Sequence, residues 1–275
     1  MMTPSPTGAI LRFENVMLRF DEVWAMNDLS FTMQQGETLV ILGAAGSGKT
    51  CVLKAAMGLI KPDSGRIELF GTEITGLEEQ DLFELRRRVG ILFQEGGLFD
   101  SFTVEENVAY PLQNMQSGQP DRDQIRTRVR TALRFVELEQ TLEQFPSELS
   151  GGMRRRVGIA RAVVTEPPLL LYDSPTAGLD PITANTIMSL VAKERDTRGT
   201  AAVIVTHRYQ DGQLMSHFRY NPQSGRLEPA ARNGGGDLEC RTRFLVLDEG
   251  RLAFVGTEQE LEKSTDPYVS KFVRR

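Results

Sequence analysis

The chain has 275 residues, 40% of them hydrophobic and 25% charged, with a formal net charge of -5. That length buries a sizeable core, so one large domain carrying a smaller subdomain fits it. The absence of any basic excess argues against a nucleic-acid binder, and no apolar run reaches the roughly 20 residues that cross a bilayer.

In chain order, residues 10–20 and 28–33 alternate apolar and polar and read as strands with one buried face. TLVILG (38–43) is a nearly continuous apolar run ending in glycine, the pattern of a strand covered on both faces. A helix is expected from Gly48 to Leu59, stopped near Lys61-Pro62, with further strands at 66–71 and 88–93. From Gly96 to about Ser150 strand signals vanish, and Asp121–Leu138 carries Ile125, Val129, Leu133 and Val136 at helical spacing. This stretch, 96–152, reads as a helical subdomain inserted in the core. Strand–helix alternation resumes with a helix over 151–164, a strand at 169–173, a helix over 181–195 and a strand at 201–206. Such alternation points to a mainly parallel sheet.

The stretch 208–243 fits less well. HFRYNPQSGRLEP (217–229) has a turn-rich centre between strand-like arms and suggests a hairpin, while ARNGGGD (231–237) reads as a flexible connection. A last hairpin, 244–256, is expected to turn at Asp248–Gly250. The N-terminus lacks a basic segment followed by an apolar stretch, so no signal peptide is expected. Cys51 and Cys240 lie far apart, form no disulfide framework or zinc motif, and read as free thiols in a reducing cytosol.

The strongest local signal is Gly43-Ala44-Ala45-Gly46-Ser47-Gly48-Lys49-Thr50, which matches G-x-x-x-x-G-K-[ST] between an expected strand and helix. Glycines let the backbone curl with its N–H groups inward, and the helix N-terminus adds partial positive charge, so the loop suits phosphates. Lys49 is expected to reach the β- and γ-phosphates and the Thr50 hydroxyl to ligate Mg²⁺. Leu169–Asp173 is an apolar strand ending in an acid that can hold the same cation through water. The fold expected is α/β, a P-loop NTPase (RecA-like) core with a mainly parallel sheet, antiparallel N-terminal strands and the inserted helices, in one domain over 1–275.

Leu149-Ser150-Gly151-Gly152-Met153-Arg154 starts a helix some twenty residues before that acidic strand end. Together with Gln94, Ala177-Gly178-Leu179-Asp180 and Thr206-His207 in this order, it resembles the ATP-binding cassette family over nearly the whole chain. The resemblance implies a head-to-tail homodimer, or a pair with a homologous ATPase, that closes on two Mg-ATP. In it Ser150, Gly151 and Gly152 meet the γ-phosphate held by the opposite copy. It also implies that Gln94 touches Mg²⁺ and water, that Asp180 speaks across the dimer and that His207 contacts the γ-phosphate. Phe20 falls at the aromatic that stacks on adenine, with Trp24 as rival. Cys51 follows Thr50 at the helix start, either as a reactive thiol beside the nucleotide or as a small buried side chain. His217 matches nothing in the family and reads as a surface or hairpin residue. The arginine runs 86–88 and 154–156 read as solvated or interface faces.

A narrower likeness runs through LFQEGGLFDSFTVEENVAYPL (92–112) and LSGGMRRRV (149–157), which resemble the ATPase subunits of MCE-type (Mla-like) lipid transporters. That likeness implies a membrane permease docked near residues 94–112, an MCE-type substrate-binding protein as indirect partner, no nucleic acid, and a peripheral place on the cytoplasmic face of a bacterial inner membrane. Leu98, Phe99 and Phe102 are the apolar candidates for the dock; if buried they belong to the subdomain core. Related ATPases of DNA repair carry coiled coils or zinc cysteines, and translation factors carry two phosphate loops; this chain has neither feature.

One position departs from the family. The residue after the acidic strand end is normally glutamate, the base that polarises the attacking water, and here it is Ser174. Loss of a general base costs ~10²–10⁴ in rate. Three explanations stand side by side: a slow switch that dimerises on ATP, a substitute base such as His207 or Glu95, or pairing with a competent homologue.

Overall fold

The computed structural model of the chain describes residues 8–114, 120–231 and 241–273. The first two strands, β1 (Ala9–Phe20) and β2 (Val23–Gln34), pair antiparallel, and β1 pairs on its other side with β4 (Ser64–Leu69). β2 starts five residues earlier than its alternation suggests. Asp28 sits at φ 59 within it, and the β1–β2 register shifts several times, so the sequence period is broken where the strand continues.

β3 (Thr38–Gly43) is buried at every residue, as its nearly continuous apolar run requires. It lies parallel between β11 (Thr242–Asp248) and β8 (Ala201–Thr206). The order β12-β11-β3-β8-β7-β6 completes the sheet, with β6 (Val89–Leu92) and β7 (Leu169–Asp173) parallel and β12 (Arg251–Gly256) antiparallel at the far edge. The carboxyl ends of β3, β7 and β8 therefore lie side by side, where open α/β sheets hold ligands.

The helices begin where side chains can cap them. α3 (Val104–Gln113) starts from a capping box of Thr103 and Glu106, and α4 (Arg122–Phe135) from one of Asp121 and Gln124. These two helices pack on α5 (Gly151–Val163) around Val108, Leu112, Val129, Leu133 and Val157, forming the helical subdomain core. α6 (Pro181–Arg198) has Asp180 as its cap, Pro181 in its first turn and Gly199 at φ 64 beyond its end.

Within 208–243, Tyr209–His217 is helix α7, packed on β3 and β11. The arms expected to form a hairpin are β9 (Phe218–Asn221) and β10 (Arg226–Pro229), paired antiparallel. β9 lies along α6, where Arg195 donates to the carbonyl of Phe218 (2.7 Å) and Asp196 accepts from the Tyr220 amide (2.7 Å). The connection at 232–237 and Cys240 lie outside the described residues. Two short helices, α8 (Glu258–Glu262) and α9 (Pro267–Val273), close the chain against β11 and β12.

Candidate functional site

The phosphate-type loop leaves β3 at Gly43 and enters α1 (Lys49–Ala56) through Gly48. Gly48 holds φ 98, and a Cβ there would lie 2.0 Å from the carbonyl oxygen of Ala25, so only glycine fits. At Gly46, φ 79, a Cβ would meet nothing within 4 Å, so the loop there faces open space. Ala44, Ala45 and Gly46 are exposed while Ser47 is buried. Lys49 folds back over the loop: its Nζ donates to the carbonyls of Gly43 (2.9 Å) and Ala44 (2.6 Å) and to Ser47 Oγ (3.3 Å). Burial lowers the Lys49 pKa, and the nearby Asp173 carboxylate partly opposes that.

Across the loop, Thr50 Oγ1 donates to Asp173 Oδ2 at 3.0 Å. Asp173 is buried at the carboxyl end of β7, and Ser174 Oγ donates to its other oxygen at 3.2 Å. Ser174 itself sits at φ 50, and its amide donates to the Val205 carbonyl (2.9 Å). The donor set fits a hard divalent cation: a hydroxyl and a carboxylate side by side at the mouth of a loop whose backbone opens outward. A cleft of about 900 Å³ flanks the loop, lined by Val23, Trp24, Ala44–Ser47, Arg251 and Tyr268 among others.

The two candidate aromatics differ in place. Phe20 is 49% exposed at the end of β1, whereas Trp24 is half-buried, lines the cleft and has the Arg19 guanidinium 5.5 Å from its ring centre. Ser150 caps α5, its Oγ accepting from the Met153 amide (3.2 Å), and is exposed with Gly151 and Gly152 following. Asp180 accepts from the amides of Ile182 and Thr183, both at 3.0 Å, and those bonds with the Thr183 side chain hold its carboxyl below the usual range. His207 is exposed at the end of β8.

Gln94 is exposed in a 3₁₀ turn, Gln94–Gly96, whose successors are fixed from two helices. Arg161 of α5 donates to the carbonyls of Gly96 (3.0 Å) and Gly97 (2.8 Å). Asn107 of α3, fully buried, accepts from the Phe99 amide (2.8 Å) and donates to the carbonyls of Phe99, Phe102 and Thr103. Both anchors escaped the sequence reading; an asparagine amid apolar helix positions is the signal that could have found the second. Phe99, 41% exposed, then faces a groove of about 530 Å³ with Phe83, Phe93, Tyr110 and Pro111, while Leu98 packs on the helical core.

The structure decides between the two readings of Cys51 and corrects one expectation, for Arg155. Cys51 is half-buried against the core, and burial raises its thiol pKa, opposing the reactive-thiol reading; the Lys54 charge only partly offsets this. Arg155 is not a solvated residue: it is buried and donates to the Ala177 carbonyl, tying α5 to the loop before α6. His217 is exposed, as expected, at the end of α7, with its Nε2 2.8 Å from Glu258 Oε2. Sequence reading also missed Tyr268 of α9, whose hydroxyl accepts from the Ala44 amide (3.2 Å) and donates to the Leu247 carbonyl (3.0 Å).

Residues 26–177, over half of the chain, match the family model described as ABC transporter. The chain is 43% identical over 186 residues to the methionine import ATP-binding protein MetN of Carboxydothermus hydrogenoformans, covering 68% of this chain and 54% of that protein. The MetN of Brucella abortus is 38% identical over 204 residues, covering 74% and 54%. The matched part thus spans about half the length of these curated relatives. Among solved structures, the ATP-binding cassette MJ0796, in a dimeric post-hydrolysis state with ADP and Pi, superposes with a TM-score of 0.74 at 28% identity, covering 90% of this chain and 98% of that one. The cbiO1 chain from Clostridium perfringens, part of the ABC transporter complex cbiONQ, gives 0.73 at 28% identity, covering 97% and 93%. With its phosphate-type loop, acid-ended strand and helix-capping serine on an α/β P-loop cassette with a helical insert, the chain belongs to the ABC transporter family.

Proposed function

We propose that this chain is the ATP-hydrolysing subunit of an ABC transporter, two copies of which close on two ATP and drive a membrane permease. The observation that carries the reading is the 3.0 Å contact of Thr50 with Asp173 beneath a loop whose Lys49 is held by its own carbonyls. Loop amides from Gly46 to Thr50 bind the phosphates, and Lys49 exchanges its carbonyl partners for phosphate oxygens. Thr50, Asp173 and Gln94 hold Mg²⁺, which when bound neutralises charge on the transferred phosphoryl group. Ser150, Gly151 and Gly152 at the N-terminus of α5 present a hydroxyl and amides to the nucleotide of the opposite copy. Asp180 contacts that copy, His207 bonds the terminal phosphate, and Trp24 or Phe20 stacks on the base. Ser174 cannot take a proton at neutral pH, so the water must be oriented by other groups and turnover is slow.

The groove with Phe83, Phe93, Phe99 and Tyr110 receives a short helix of the permease. The cargo we propose is a lipid or other hydrophobic molecule delivered through an MCE-type protein at the inner membrane's cytoplasmic face, on the resemblance of residues 92–112 and 149–157. A second reading, methionine import, is favoured by the names of the curated relatives. The test is purification of the tagged chain from its native membrane, with phosphate release measured on the complex and its permease identified. Lipid exchange between vesicles and methionine uptake then separate the two cargoes. A complex that binds no Mg-ATP defeats the ATPase reading.

A further inference from the structure

We infer that Asp211 is a positioning residue that locks the turns after β7 and β8 together, so that the groups flanking the terminal phosphate move as one unit. The inference rests on the ATPase reading above. Asp211 lies in the first turn of α7 and is only 2% exposed. One of its oxygens, Oδ2, accepts from two hydroxyls at once: Thr176 Oγ1 at 2.6 Å and Thr206 Oγ1 at 2.7 Å. Its other oxygen lies 3.8 Å from Arg208 Nε. Both threonines are buried, at 1% exposure each.

Each threonine controls a different loop. Thr206 directly precedes His207, and its Oγ1 also accepts from the Arg208 amide (3.0 Å), so the backbone on both sides of His207 is fixed through one side chain. Thr176 belongs to the turn that starts at Ser174 and ends at Asp180. Within it the Ala177 amide donates to the Ser174 carbonyl (3.1 Å) and the Leu179 amide to the Thr176 carbonyl (3.2 Å). A second link between the two turns is the Ser174 amide on the Val205 carbonyl, 2.9 Å, at the strand ends. Asp211 therefore couples His207 to the segment carrying Ser174 and Asp180, one group beside the nucleotide of its own copy and the other facing the second copy.

A buried carboxylate is an expensive way to fill space, because burial penalises its charge, and the hydrogen bonds from Thr176 and Thr206, then Arg208 and His207, only partly offset that. An apolar side chain would fill the same volume but would strand two buried hydroxyls without an acceptor. The chemistry at Asp211 is that of a shared acceptor between two loops.

The test uses the assembled transporter with Asp211→Ala, Asp211→Asn and Thr176→Val, each in the wild-type and the Ser174→Glu chain, so that slow basal hydrolysis does not mask an effect. Nucleotide affinity is read with a fluorescent ATP analogue and turnover as phosphate release. Asp211→Ala and Thr176→Val are expected to leave the affinity within about threefold while lowering turnover about tenfold or more, the loss of alignment rather than of binding. Asp211→Asn, whose amide oxygen still accepts from both threonines, is expected to keep turnover within about threefold. Adding Thr176→Val to Asp211→Ala should cause no further loss, since both remove one link. Turnover unchanged in Asp211→Ala and Thr176→Val overturns the inference, as does a fall in Asp211→Asn equal to that of Asp211→Ala. Affinity and turnover falling together with the folded fraction in thermal melts would make the role merely structural. If Asp211→Ala does not fold, Thr176→Val decides alone. Absence of ATP binding in the unmutated chain would instead remove the ATPase reading.

Discussion

At the level of single residues, the site is built from constraints that substitutions can isolate. Lys49→Ala removes the cation that spans the loop, and Mg-ATP binding should fall below detection in calorimetry while the fold persists. Gly48→Ala meets a different barrier, because its φ of 98 and the 2.0 Å approach to Ala25 force the backbone to move. The left-handed strain alone is worth about 1–3 kcal/mol, which chemical denaturation would register as a lower midpoint. Ser174→Glu restores a proton acceptor next to Asp173 and is expected to raise phosphate release by ~10²–10⁴. A rate equal to or below wild type would mean that serine is no handicap. Asp211 carries a stability signature as well. Burial raises its pKa, so the native state binds the proton more tightly than the unfolded chain does. The penalty for its charge is fully present above that raised value, shrinks as pH falls through it, and is gone below the ordinary range of aspartate. Asp211→Asn should therefore melt higher than wild type at neutral pH, with the gap closing on acidification.

At the level of elements, the loop from Gln94 to Thr103 owes its shape to two side chains donated by neighbouring helices, Arg161 and Asn107. α5 thus carries Ser150 at one end and, near the other, an arginine that grips the loop bearing Gln94 and Phe99. In the proposed function, nucleotide capture at Ser150 and the groove at Phe99 share one rigid helix, which gives a physical route between them. Phe99→Asp should release the permease in detergent co-purification while leaving ATP affinity unchanged; retention of the permease would remove the groove from the dock. The elements that sequence reading found and missed divide along physical lines. TLVILG followed by a glycine-rich loop was legible because burial on both faces leaves a nearly continuous apolar run. α7 was not, because Gly212 in its middle reads as a breaker. In the fold that glycine makes room for Phe244, whose ring a Cβ would approach to 2.3 Å. α3 was hidden by Pro111, which lies inside it near its C-terminal end and reads as a breaker. The phosphate-type loop, Asp173 and the capping Ser150 were legible as motifs. Arg161 and Asp211 were not, since each has a partner far away in sequence, Gly96 and Thr176, and Asn107 was not, since it acts on the backbone of an irregular loop.

At the level of the whole molecule, the exposed Ser150, Asp180 and His207 lie on a surface that the proposed function assigns to a second copy. Sedimentation should show Mg-ATP converting the chain to a dimer, and Ser150→Arg should abolish that dimer without weakening nucleotide binding by the single copy. No described helix is long and apolar enough to cross a membrane, so membrane attachment in this reading passes through the apolar groove. The hydroxyl of Tyr268 gives the C-terminal helix a grip on the backbone of Ala44 and Leu247. The tail is in effect a buckle on the nucleotide loop. An affinity handle fused after Arg275 would tug on that buckle, and nucleotide affinities measured on such a fusion would report the fastening as much as the pocket, which makes the other end of the chain the place to put a tag.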